Sequence, residues 1–256
     1  MENTLRVTPR YYRWHVDPGI EWVEKNTNYA HLSWEIPLHR TALVLVDVWD
    51  RHYLKDTEAR AEAIIREKIV PLMAVCRKAR MPIIHAPSPP QAKAHPAWVR
   101  LLGEEEMASR RDAWPPPEFR GKSGDYKAYA RPAEPRAPEL TKLREDLALH
   151  PLIQPEGDEA VIATGEELHR TCKQKGILFL FFLGFNTNAC IVWRDYGTME
   201  MSRRGYEIIL LRDCGTGMES FETHDTLGQT RGTILFLEMF GQYSLTSDEL
   251  IAGLPK

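Results

Sequence analysis

The segment Ile177-Leu-Phe-Leu-Phe-Phe-Leu183 carries no polar side chain. A strand with one wet face alternates apolar and polar residues. An uninterrupted apolar run predicts a strand covered on both faces, the condition of a parallel sheet between helix layers. Thr41-Ala-Leu-Val-Leu-Val-Asp47 is a second run of this kind, ending in an acid. The apolar stretch from Ile177 to Phe185 spans nine residues, far short of the roughly 20 that a membrane-crossing helix needs.

Helical and strand patterns alternate around these runs. Ile64, Ile65, Ile69, Leu72, Met73 and Cys76 recur at helical spacing, which predicts a helix from about Thr57 to Arg80. Met81–His85 and Ala160–Ala163 read as strands. Gly165–Lys175 reads as a helix with Gly176 as its C-cap. A helix from Asn188 to about Arg203, stopped by Gly205, precedes a strand at Glu207–Arg212. A helix over Thr223–Met239, a short strand over Gln242–Thr246 and a cap at Ser247 close the pattern. This order predicts a three-layer αβα sandwich with a doubly wound, mainly parallel sheet. Residues 1–38, rich in Trp, Tyr and charge, read as an N-terminal extension that wraps the domain or joins a subunit interface. The domain itself is expected over 39–256, interrupted at about 86–140 by a proline-rich insertion carrying Trp98 and Trp114. A segment that long and irregular reads as a functional lid, with a short helix expected over Trp98–Arg110.

Of the 256 residues, 43% are hydrophobic and 27% charged, the formal net charge is −3, and no like-charge run occurs. That balance argues against a nucleic-acid footprint or a polybasic membrane patch. The first residues form no apolar h-region, so no signal peptide is expected. The four cysteines (Cys76, Cys172, Cys190, Cys214) lie far apart with no C-x-x-C spacing. They read as reduced thiols of a cytoplasmic protein rather than as disulfides or a zinc site.

Ligands in doubly wound sheets bind outside the carboxyl ends of the strands. Asp47, His85, Gly184 and Asp213 are all expected there. Gly184-Phe-Asn-Thr-Asn-Ala-Cys190 joins the strongest strand to a helix. The turn would set Cys190 in the helix's first turn, where free N–H groups stabilise a thiolate or an oxyanion. From placement alone Cys190 is equally a buried structural thiol. Asp47 is a base for that thiol or an ordinary loop acid.

Leu43-Val-Leu-Val-Asp47-Val-Trp-Asp50 resembles the first-strand motif of the isochorismatase-like (cysteine hydrolase) superfamily, and Gly184-Phe-Asn-Thr-Asn-Ala-Cys190-Ile is similar to its G-x-x-T-x-x-C-V nucleophile motif. Arg204–Cys214, with Asp213, and His224 match its following strand and helix. The resemblance covers roughly residues 40–85 and 150–250. It implies that Asp47 takes the Cys190 proton, that Cys190 attacks an amide or carbamoyl carbon, and that the backbone N–H groups of Asn186 and Cys190 hold the oxyanion. It also implies a cis Phe185–Asn186 peptide and a dimer or tetramer. The cysteine favours C–N hydrolysis over vinyl-ether opening.

One element of the pattern is missing. The superfamily places a lysine just after its third strand, where this chain has Ala163 or Thr164. Lys122, Lys127, Arg51 and His52 are the candidate substitutes, each also readable as a surface charge. Glu166 and Glu167 read as helix-start caps. Trp49, Trp114, Trp193, His85, Phe185 and Asn188 are candidate pocket residues, although His85 and the tryptophans are as readily structural. No metal or other cofactor is expected: the metal-binding Asp-x-His of some relatives has no counterpart in Ala86-Pro-Ser-Pro. A small-molecule substrate is the expected partner. The competing readings are a degenerate binding or regulatory protein, favoured by the missing lysine, and a redox sensor with Cys214 as resolving thiol.

Overall fold

The computed structural model describes residues 3–103 and 114–255. Strands β1 (Thr4–Val7), β2 (Arg10–Arg13), β3 (Asn28–His31) and β4 (Trp34–Pro37) come first. The two apolar runs form β5 (Thr41–Val46) and β8 (Phe179–Phe185), either side of β6 (Ile83–Ala86) and β7 (Ala160–Val161) in sequence. β9 (Glu207–Thr216) and β10 (Tyr243–Leu245) complete an eight-stranded sheet of order β3-β2-β10-β9-β8-β5-β6-β7. Strands β5 to β10 pair in parallel, while β2 and β3 add an antiparallel edge. The N-terminal segment thus extends the sheet beside β10, and β1 pairs with β4 separately.

Side chains alternate across the central strands, as a strand's period of two requires. Leu43, Leu45, Phe181, Leu183, Ile209 and Leu211 face one apolar core with Ile65, Ile69, Leu72 and Met73. Ala42, Val44, Val46, Leu180, Phe182 and Leu210 face a second core with Leu168, Cys172, Met201 and Leu237. Helices therefore cover both faces, and the doubly wound architecture is as the sequence implies.

On the first face, α1 (Lys55–Ile64) runs through a π-helical stretch (Ile65–Ile69) into α2 (Val70–Ala79). The insertion holds α3 (Pro89–Ala94), α4 (Pro117–Arg120) and α5 (Ala137–Glu145). The helix expected over 98–110 falls largely outside the described residues. α6 (Gly165–Lys175) ends on Gly176 in the left-handed conformation, as its sequence indicates. Its cap is the Thr164 side chain rather than Glu166 or Glu167. Glu167, fully buried, instead accepts the Ala163 N–H at 2.7 Å and the Trp98 indole N–H at 2.9 Å.

Two expected elements differ. The helix expected over 188–203 is split into α7 (Cys190–Trp193) and α8 (Thr198–Arg203). Three successive residues leave the helical path for separate partners: Arg194 bonds Ser88, Asp195 takes the Gly165 N–H, and Tyr196 donates to the Pro87 carbonyl. The helix expected from Thr223 begins only at Gly228, as α9 (Gly228–Met239), because Thr223 closes turns with Ser220. The chain ends in α10 (Ser247–Gly253), capped by Thr246 in a capping box with Glu249.

The order reverses between β5 and β8: from β5 the chain builds outward to β6 and β7, then returns to β8 on the other side. At that crevice Val46 lies opposite Gly184, whose φ is +119°. A β-carbon on Gly184 would stand 1.9 Å from the Val46 carbonyl oxygen. Gly184→Ala is expected to destabilise the fold by about 3 kcal/mol, combining backbone strain and steric overlap. Differential scanning calorimetry should show Tm falling by roughly 6–12 °C.

Candidate active site

Asp47 follows β5 directly, with φ +47° and only 4% exposure. Its carboxylate accepts the Ser88 hydroxyl at 2.8 Å and meets Arg194 Nη2 at 3.4 Å. Arg194 Nη2 also donates to Ser88 Oγ at 2.7 Å, closing a three-membered network. Cys190, at the start of α7, is partly buried and lines the same cavity as Asp47 and Arg194. Burial, with the Asp47 charge, pushes the Cys190 thiol up to about 12, and Arg194 opposes that rise. Burial and the neighbouring carboxylate thus work against the thiolate expected at the helix start. Burial also opposes charge on Arg194, but Asp47, Tyr196 and Cys190 override it and hold its pKa above the ordinary value.

The Phe185–Asn186 peptide is cis, as the resemblance implies. Thr187 N–H donates to Thr216 and Ala189 N–H to Asn186. The N–H groups of Asn186 and Cys190 find no acceptor among the described residues. A cavity of about 430 Å³ opens onto these groups. Trp49, Arg51 and His52 line it beneath Leu140, Leu143 and Arg144 of α5. A larger cavity of about 620 Å³ lies on the other side of Gln91 and Arg144, whose backbone carbonyl the Gln91 amide bonds at 3.1 Å.

Asp47, Cys190, Asn186, His52 and Trp49 thus converge on one cavity, and Arg51 reaches its rim paired to Asp50. Other candidates do not converge there. Phe185 is fully buried beneath Trp49, its ring 5.1 Å away. Asn188 holds the Met218 backbone through both ends of its amide. His85 is buried against Glu159, which Arg77 also grips. Burial alone would raise the Glu159 carboxyl, yet these two partners hold it down at about 2. Lys122 sits over the Phe119 ring, Lys127 lies outside the cavity lining, and Trp114 and Trp193 are exposed. Asp213 is not at the end of its strand: β9 runs on to Thr216, and Asp213 accepts the Ser247 N–H and hydroxyl. His224 lies on the surface beside Asp225. Cys214 is buried in the core on the opposite face of the sheet from the one Cys190 packs against, which removes it as a resolving thiol.

Sequence reasoning missed Ser88 and Arg194.

The fold and this arrangement can be set beside known proteins. A cysteine hydrolase from Pseudomonas syringae pv. phaseolicola 1448A superposes with TM-score 0.52 at 18% identity, over 86% of this chain and 94% of its own. An isochorismatase from Pseudomonas putida KT2440 gives 0.50 at 16% identity, over 83% and 91%. These likenesses establish the fold. No curated protein matches the sequence. The isochorismatase domain family matches residues 41–233, which include Asp47, Ser88, Cys190 and Arg194, and the chain belongs to that family.

Proposed function

We propose that this chain is a cysteine-dependent hydrolase cleaving the C–N bond of a small amide or carbamoyl compound. The observation that carries the reading is the convergence of Cys190, Asp47 and Arg194 on one cavity, with Asp47 and Arg194 paired, beside two N–H groups without acceptors among the described residues. A cavity of about 430 Å³ suits a small molecule.

In this reading the resting site holds a neutral thiol beside the Asp47 carboxylate. As the Cys190 sulfur attacks the carbonyl carbon, its proton passes to Asp47, so charge leaves the buried carboxylate while it develops on the substrate oxygen. The N–H groups of Asn186 and Cys190 receive that oxyanion. Collapse breaks the C–N bond, Asp47 returns the proton to the leaving nitrogen, and a thioester-type intermediate remains on Cys190. Asp47 then takes a proton from water, which attacks the intermediate and restores the thiol. Arg194 cannot release its proton in the working range, so it keeps Asp47 and the developing thiolate compensated throughout. The degenerate-binder alternative drew on the missing lysine, and Arg194 supplies a cation to Asp47 from a different element.

Hydrolysis of a panel of small amides and ureas tests this reading. Cys190→Ala is expected to lower turnover at least about 10³-fold; an unchanged rate would sink the proposal. Alkylation of Cys190 against pH, read by peptide mass spectrometry, separates the partners. Asp47→Asn removes an anion beside the sulfur, so the thiol should titrate at lower pH than in the wild type even as turnover is lost. Arg194→Gln removes a cation, so the thiol should titrate at higher pH, with turnover down about 10²-fold. Superimposable profiles for all three proteins would show that the charges do not act on the sulfur.

A further inference from the structure

The His52 imidazole is buried in a column of rings. Trp49 stacks on one face at 4.9 Å and 29°, Tyr53 on the other at 4.4 Å and 22°. Trp49 rests in turn on Phe185, the residue before Asn186. Sandwiched in this way, the ring presents its two nitrogens edge-on to different partners.

Nδ1 lies 3.1 Å from the Leu54 backbone nitrogen, whose N–H points at it. A backbone N–H can only donate, so Nδ1 must be an acceptor. The imidazole is therefore neutral, with its proton on Nε2. Burial agrees, since it lowers the His52 pKa and disfavours the cation. Nε2 faces the Asn186 carboxamide at 3.4 Å. If the amide NH2 were the end facing Nε2–H, two donors would meet, while Asn186 Oδ1 stayed buried without a partner. A half-turn of the carboxamide, which exchanges atoms of nearly equal size, brings Oδ1 to Nε2–H.

We propose that His52 is a positioning residue, an imidazole fixed as the Nε2–H tautomer that donates to Asn186 Oδ1 and so holds the residue whose backbone N–H receives the oxyanion. The functional half rests on the hydrolase reading above; the tautomer does not. Three successive links run from the start of α1 toward the reacting carbonyl: the Leu54 N–H sets the tautomer, the tautomer sets the carboxamide, and the carboxamide steadies the Asn186 peptide. The ring stack keeps the imidazole in plane throughout.

Two substitutions separate the nitrogens. A glutamine side-chain nitrogen reaches roughly the place of Nε2, whereas asparagine offers an acceptor nearer Nδ1 only. His52→Gln is expected to keep kcat within about threefold. His52→Asn and His52→Phe should lose roughly 10- to 100-fold in kcat with KM little changed. Phenylalanine preserves the stack, so a fully active His52→Phe variant would overturn the proposal by showing that only packing matters. The tautomer is read directly in wild-type protein labelled with 15N-histidine, from two-bond proton–nitrogen correlations assigned by their loss in His52→Gln. An Nε2–H pattern is expected, and an Nδ1–H pattern or an imidazolium at neutral pH would overturn it. Should the wild type hydrolyse no amide, the hydrolase reading falls, and the tautomer pattern still decides for or against the hydrogen bond.

Discussion

A carboxyl group held at 4% exposure has lost most of its hydration, and Asp47 depends on polar partners supplied by what surrounds it. Ser88 and Arg194 are those surroundings, and each comes from a loop that the fold must deliver to the same point. Ser88 arrives directly after β6. Arg194 arrives because the chain leaves the helical path after α7. Removing Arg194 would leave the buried carboxyl without its cation, which costs more than the contact itself contributes. The same compensation shapes the thiol: Cys190 is poised beside an anion that discourages its ionisation and a cation that permits it. The proposed mechanism accordingly uses proton transfer between neighbours rather than a standing thiolate.

The close approach of β5 and β8 supports this arrangement from below. Gly184 lets the two backbones meet where a side chain would collide with Val46, and so sets Asp47 and the Phe185–Asn186 turn side by side. Above that point, Phe185, Trp49, His52 and Tyr53 rise as consecutive rings from the core to the cavity wall. Tyr53 closes the top of the column on Met218, whose backbone Asn188 holds. The segment after β5 and the segment after β8 are thereby clamped together twice, once by charge and once by stacked rings.

The fold was legible because its determinants are local. Continuous apolar runs could only be covered strands, and helical spacing between them left one architecture. Asp47 and Cys190 stood out because each follows such a run. What resisted reading was set by tertiary ties. The break after Trp193 follows from three side chains finding partners more than a hundred residues away in two cases, information that no local window holds. The same break carried Arg194 into the site, while the lysines of the insertion, which looked better placed, lie elsewhere. The length of β9 was underestimated for a related reason: Asp213 looked like a terminus, yet it is satisfied inside the strand by Ser247, which is the first residue of the last helix rather than its cap. The edge strands β2 and β3 were hidden because their residues are half-exposed and carry no apolar run.

The relocation of the cation has a bearing on how such an enzyme can diversify. When the charged partner sits after the third strand, the acid, the cation and the nucleophile occupy three separate stretches, and an altered loop in any of them risks the chemistry. In the proposed mechanism cation and nucleophile share one short stretch, Cys190 to Arg194, whose Arg194 pairs with Asp47. The loop after β7 is relieved of duty and could be shortened to a bare helix start. The long segment that roofs the cavity is tied to the reacting groups chiefly through Ser88. On the proposed mechanism, the roof of the cavity can change, and the substrate preference with it, while the reacting centre stays intact.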